Sequence, residues 1–62
     1  MEYIVIIHPP YEHLCITKQF STRQGAIEYA KGTKKNYLKE YRGDSYALSK
    51  LKVTVVEVIE AV

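Results

Sequence analysis

The chain is predicted to form a single α+β domain over residues 1–62, with elements in the order ββαβ. Two segments, Tyr3-Ile4-Val5-Ile6-Ile7 and Val53 to Ile59, are apolar on both faces, as strands buried on both sides are. A third, His13 to Phe20, alternates apolar with polar residues, the pattern of a half-exposed edge strand. Between the second and last strands, Ala26, Ile27, Ala30, Tyr37, Leu38 and Tyr41 recur at the helical period.

The first strand is expected from Glu2 to His8 and ends at Pro9-Pro10, because neither proline can donate a ladder hydrogen bond. Pro9-Pro10-Tyr11-Glu12 reads as the turn of a hairpin. The second strand, His13 to Phe20, puts Leu14, Ile16 and Phe20 on one face and His13, Cys15, Thr17 and Gln19 on the other. Ser21 can cap a helix, and Gln24, three residues on, can reach back in a capping box. One helix from about Thr22 to Tyr41 follows. Gly32 lies inside it at a cost of about 1 kcal/mol relative to alanine, and a break there into two short helices is the alternative. Arg42-Gly43-Asp44-Ser45 closes the helix, with Gly43 as the stop. The last strand is expected to begin between Leu48 and Lys52 and to run nearly to Val62.

If the last strand returns beside the first, the sheet order is 2-1-3, all antiparallel, with the helix on one face. Ile27, Ala30 and Leu38 are then expected to pack against Ile4 or Val5, Leu14 and Ile16. One helix can cover only one face, and an apolar last strand at an edge is an aggregation hazard unless something pairs with it. The sequence therefore points to a protein that meets another chain, either a second copy in a homodimer or a protein target. Six tyrosines and no tryptophan fit such a surface, since the tyrosine ring suits half-buried interfaces. Tyr3, Tyr11, Val55, Val58 and Ile59 are the candidate partner-binding residues.

Composition narrows the function classes. The single cysteine, Cys15, cannot form an internal disulfide, which favours a reducing, cytoplasmic setting. The apolar runs fall far short of the roughly 18–20 residues needed to span a bilayer, and Glu2 and Tyr3 stand where a signal peptide carries positive charge. A net charge of +2 excludes a strongly acidic nucleic-acid mimic. The second candidate surface is basic: Lys31, Lys35, Lys39 and Arg42 gather within roughly 80° of helical arc, near tyrosines, as in a module that tracks a phosphate backbone. A solvated outer helix face looks the same.

Chemistry finds little support. His8, Glu12, His13 and Cys15 lie close in sequence, but no second Cys/His pair completes a four-donor zinc site, so no metal or other cofactor is expected. His13 and Cys15 stand parallel on one strand face, about 7 Å apart, too far for a base and its nucleophile. No glycine-rich phosphate loop, nucleophile elbow or paired carboxylates are present, so an enzyme acting on a small-molecule substrate is not expected. Arg42-Gly43-Asp44-Ser45 matches an adhesion tetrapeptide, yet it is also ordinary turn chemistry after a helix.

Phe20-Ser21-Thr22-Arg23-Gln24-Gly25-Ala26-Ile27-Glu28-Tyr29-Ala30 combines a strand-ending aromatic, a cap and an Ala-Ile-x-x-Ala helix. In this pattern, and in its size, the chain resembles the small accessory proteins that bacteriophages encode, built as minimal ββαβ domains. The resemblance implies a non-enzymatic inhibitor or modulator of a host enzyme or defence protein, working in the host cytoplasm. It carries over no individual functional residue.

Overall fold

The computed structural model describes residues 2–59. Its elements are β1 (Glu2–His8), β2 (Ile16–Phe20), α1 (Arg23–Glu40), α2 (Ser45–Lys50) and β3 (Lys52–Val58). The strands form one antiparallel sheet in the order β2-β1-β3, so the sheet is the expected 2-1-3 arrangement.

Register fixes which residues share a face. Tyr3, Val5 and Ile7 pair with Glu57, Val55 and Val53 on β3, and with Phe20, Lys18 and Ile16 on β2. This is the face on which α1 packs: Val5, Ile7, Ala26 and Ala30 form the buried core, with Tyr3, Phe20, Tyr29, Tyr37, Val53 and Val55 packed around it. Ile4 and Ile6 pair with Val56 and Thr54, and with Gln19 and Thr17, on the opposite face.

β2 is shorter than its sequence pattern predicts, beginning at Ile16 rather than His13. Extending the Ile7–Ile16 pairing would set Leu14 against Pro9 and His13 against Pro10. Those prolines have no N–H to offer, so the ladder stops and Leu14 is left 82% exposed. On the other side of the sheet β3 ends at Val58; the expected continuation towards Val62 lies outside the described residues.

α1 runs unbroken through Gly32, so the two-helix alternative does not hold. Thr22, not Ser21, is the N-cap: its Oγ1 accepts from the Gly25 N–H at 3.1 Å. The Gln24 side chain donates forward to Glu28 rather than back to the cap, so no capping box forms. The buried stripe of α1 also differs from the expected one. It is centred on Ala26 and Ala30, whose small side chains let the helix sit close on Val5 and Ile7, while Leu38 is 44% exposed. Leu38 follows Tyr37 by about 100° of helical rotation, and Tyr37 takes the sheet-facing position. Leu14 and Ile16, the expected partners of Leu38, are exposed as well.

α2 is a further correction, since that segment reads in sequence as turn followed by strand. Gly43 takes a left-handed φ of 85° in the turn after α1, and Asp44 then caps a new helix by accepting from the Ala47 N–H at 3.0 Å. Ala47 is fully buried. Asp44 is therefore occupied as a cap and is not a free member of an adhesion tetrapeptide.

Candidate binding surfaces

Four surfaces present groups able to engage a partner. The first is the sheet face opposite α1. Alternation along β1 sends Ile4 and Ile6 to this side, and β3 adds Val56 and Val58. Thr17, Gln19 and Thr54 surround them as a polar rim, and the Gln19 amide donates to the Glu2 carboxylate at 2.7 Å across one end. An apolar centre ringed by hydrogen-bonding groups is the usual anatomy of a protein-binding patch.

The second surface is the free edge of β3 with the flank of α1 above it. Ile27, Ala30, Lys31 and Lys34 of α1 and Val53 and Val55 of β3 line a groove of about 220 Å³. Its walls come from α1 and β3 and none from β1, which places it on the β3 side of the helix. The opposite flank of α1 is closed by Tyr29, which packs on Phe20 at 5.1 Å between ring centroids and lies beneath the Lys18 ammonium. The two flanks are thus unequal, one sealed by aromatic packing and one open.

The third surface gathers four of the six tyrosines at the end of the molecule where the β1–β2 loop meets α2. Tyr11 stacks on Tyr46 at 6.1 Å and meets Tyr41 edge-on at 5.8 Å, and Tyr41 stacks on Tyr37 at 6.1 Å. The Lys50 ammonium sits over the Tyr46 ring. The Tyr11 hydroxyl donates to the Asp44 carboxylate, binding the loop to the start of α2. This hydrogen bond, helped by desolvation and the negative charge of Asp44, pushes the Tyr11 pKa up to about 12. The same bond, with the backbone N–H of Ala47, holds Asp44 below its usual value.

The fourth is the basic side of α1. Lys31, Lys35 and Lys39 are exposed at four-residue steps along the continuous helix, and Arg42 is exposed in the turn beyond it. Among the described residues, no three His, Cys, Asp or Glu side chains come together. His8, Glu12, His13 and Cys15 are all exposed around the hairpin loop. Among the described residues, no helix is long and apolar enough to cross a membrane.

The candidate residues read from the sequence fall in different places. Tyr3 and Val55 face α1 and pack against the core. Val58 lies at the rim of the open face, and Ile59, 79% exposed, follows the end of β3. Tyr11 belongs to the tyrosine cluster, 57% exposed. The structure adds Ile4, Ile6 and Val56 at the centre of the open face. The signal for them was present in the unbroken apolar run of β1, whose even-numbered members must face away from the helix once Val5 and Ile7 face it. No family model, curated protein or solved structure matches this chain.

Proposed function

We propose that the chain is a small non-enzymatic binding protein that docks a protein target on its open sheet face, in the manner of a bacteriophage accessory protein that inhibits or redirects a host enzyme or defence protein in the cytoplasm. The observation that carries this reading is the half-exposed strip of Ile4, Ile6 and Val56, placed by register on the side of the sheet away from α1. An aspartate or glutamate at Ile6 puts a charge at the centre of that strip while leaving the α1-facing core untouched. Affinity capture with the parent and with Ile6→Glu, side by side, tests it. A target held by the parent and released by Ile6→Glu, with little dependence on salt, is the expected result. Equal retention by both would remove the open face as the site.

A second reading has its own observation. Because α1 is continuous through Gly32, Lys31, Lys35 and Lys39 share one exposed side, where they can follow a phosphate backbone. Binding of this kind weakens steeply with salt and is lost on reversing Lys35 and Lys39 to glutamate. Weak salt dependence and an unaffected double variant would leave those lysines as solvated surface.

A further inference from the structure

We infer that the free edge of β3 is a self-recognition edge, across which two copies pair antiparallel about a two-fold axis at Val55 to form a continuous six-stranded sheet. The inference rests on reading the chain as a binding module that works through its sheet, and it names a partner for an edge of that sheet.

The two sheet edges are not equivalent. β2 is five residues long and carries Lys18 in its middle, features that discourage further pairing. β3 is seven residues long, has four valines, and contains neither proline nor a central charge. Its one-sided protection by β1 leaves a full row of backbone donors and acceptors facing outward.

A two-fold axis at Val55 sets Val55 opposite its own copy, Val53 opposite the partner's Glu57, and Thr54 opposite the partner's Val56. All members of each pair then share a face, because antiparallel partners of even offset do so. Glu57 pairs with Tyr3 in the β1–β3 ladder, so it lies on the α1 side of the sheet. In this register the partner's Glu57 arrives beside Val53, in the groove that Lys31 and Lys34 line. A carboxylate thus meets two ammonium groups, and symmetry repeats the contact at the other end. Moving the axis to Thr54 would put the partner's Val55 there instead, and moving it to Val56 would keep Glu57 at the groove, opposite Val55, but would pair only five residues of β3 where the Val55 axis pairs all seven.

The helices fit the same arrangement. α1 packs across the sheet, on β1, on β3 and on Phe20 of β2, with its open flank towards the β3 edge. Pairing across β3 puts the two copies of α1 on the same side of the continuous sheet, with their open flanks towards one another. Ile27, on the open flank, then faces the partner helix, as does Leu38, about three turns further along the same flank. The stems of Lys31 and Lys34 cover apolar surface while their ammonium groups reach the partner's Glu57.

Sedimentation equilibrium of the purified chain, across a wide concentration range, tests the pairing directly. The expected mass is twice that of the 7.2 kDa chain at micromolar concentration. Glu57→Lys places like charges in both grooves and is expected to weaken the dimer by about tenfold or more, with far-ultraviolet circular dichroism unchanged. Adding Lys31→Glu and Lys34→Glu to that variant is expected to restore pairing. A single-chain mass at every concentration would overturn the proposal, as would a dimer indifferent to Glu57→Lys or one that the compensating charges do not rescue. Because only the purified chain is used, a monomer here leaves the open-face reading to its own capture experiment, and failure of that experiment leaves this pairing standing.

Discussion

Replacing Ile7 by alanine separates the core of this protein from the core that its helical wheel advertises. Ile7 is 2% exposed and stands in the middle strand beneath Ala26 and Ala30. Truncation removes apolar contact and leaves a cavity under a helix whose facing residues are too small to fill it, at a cost of about 2–5 kcal/mol. A domain of 62 residues has a total stability on the order of 3–9 kcal/mol, so about half of it is lost. At roughly 4–8 °C per kcal/mol for so small a domain, even the lower bound depresses Tm by about 8 °C. Leu38→Ala is the control. Leu38 is 44% exposed in the single chain and alanine is the better helix former, so the cost there is about 1 kcal/mol or less. If the proposed pairing of two copies covers Leu38, any larger loss there shrinks on dilution. Thermal melts of the three proteins at two concentrations decide the matter. Equal depression by Ile7→Ala and Leu38→Ala at the lower concentration would mean that α1 is rotated about its axis from the position described.

Backbone substitutions at two glycines should act in opposite directions. A Cβ at Gly32 meets nothing within 4 Å, so Gly32→Ala should raise stability by about 0.5–1 kcal/mol, whereas Gly43 holds a φ of 85° and Gly43→Ala should lower it by about 1–2 kcal/mol in denaturant titrations. Thr22→Ala removes the α1 cap and should cost about 0.5–2 kcal/mol, while Ser21→Ala should cost almost nothing; a reversed ranking would restore Ser21 as the cap. The Tyr11–Asp44 bond makes two opposite pH dependences. Asp44 has its folded pKa lowered, so its contribution is present above the ordinary carboxylate value of 3.8 and is lost as pH falls through the folded value. Tyr11 has its folded pKa raised, so its contribution is complete below pH 10.0 and is lost as pH rises towards about 12. Tyr11→Phe should move the Asp44 titration, followed by NMR, back towards 3.8; an unmoved Asp44 would show that the bond does not form in solution.

The fold was largely legible because its strands carry strong local signals. The unbroken apolar run from Tyr3 to Ile7 marked a strand that Pro9-Pro10 ends, and the return of the last strand, equally apolar but at an edge, is what makes the first one central. With β1 central, the order 2-1-3 followed, and so did the existence of a sheet face that one helix cannot cover. α2 was not legible, because six residues are too few for a periodic pattern and Asp44 suits a turn as well as a cap. The rotation of α1 was decided by tertiary packing. Alanines at positions 26 and 30 bring the helix backbone close to Val5 and Ile7, and that closeness turns Leu38 outward even though Leu38 is the more apolar residue. Hydrophobicity counts surface per residue, whereas packing selects the side chains that fit the distance between two layers. The same rule governs the candidate surfaces. Composition shows that apolar residues exceed what one helix can cover, but only register puts Ile4, Ile6 and Val56 together on one face. Only the placement of α1 leaves Ile27, Lys31 and Lys34 above the open edge of β3. The tyrosines show the limit most clearly: their number is a property of the sequence, but the contact of Tyr11 with Tyr41, Tyr46 and Asp44 joins residues some thirty positions apart. Such a contact depends on where the chain returns in space, which no local pattern encodes.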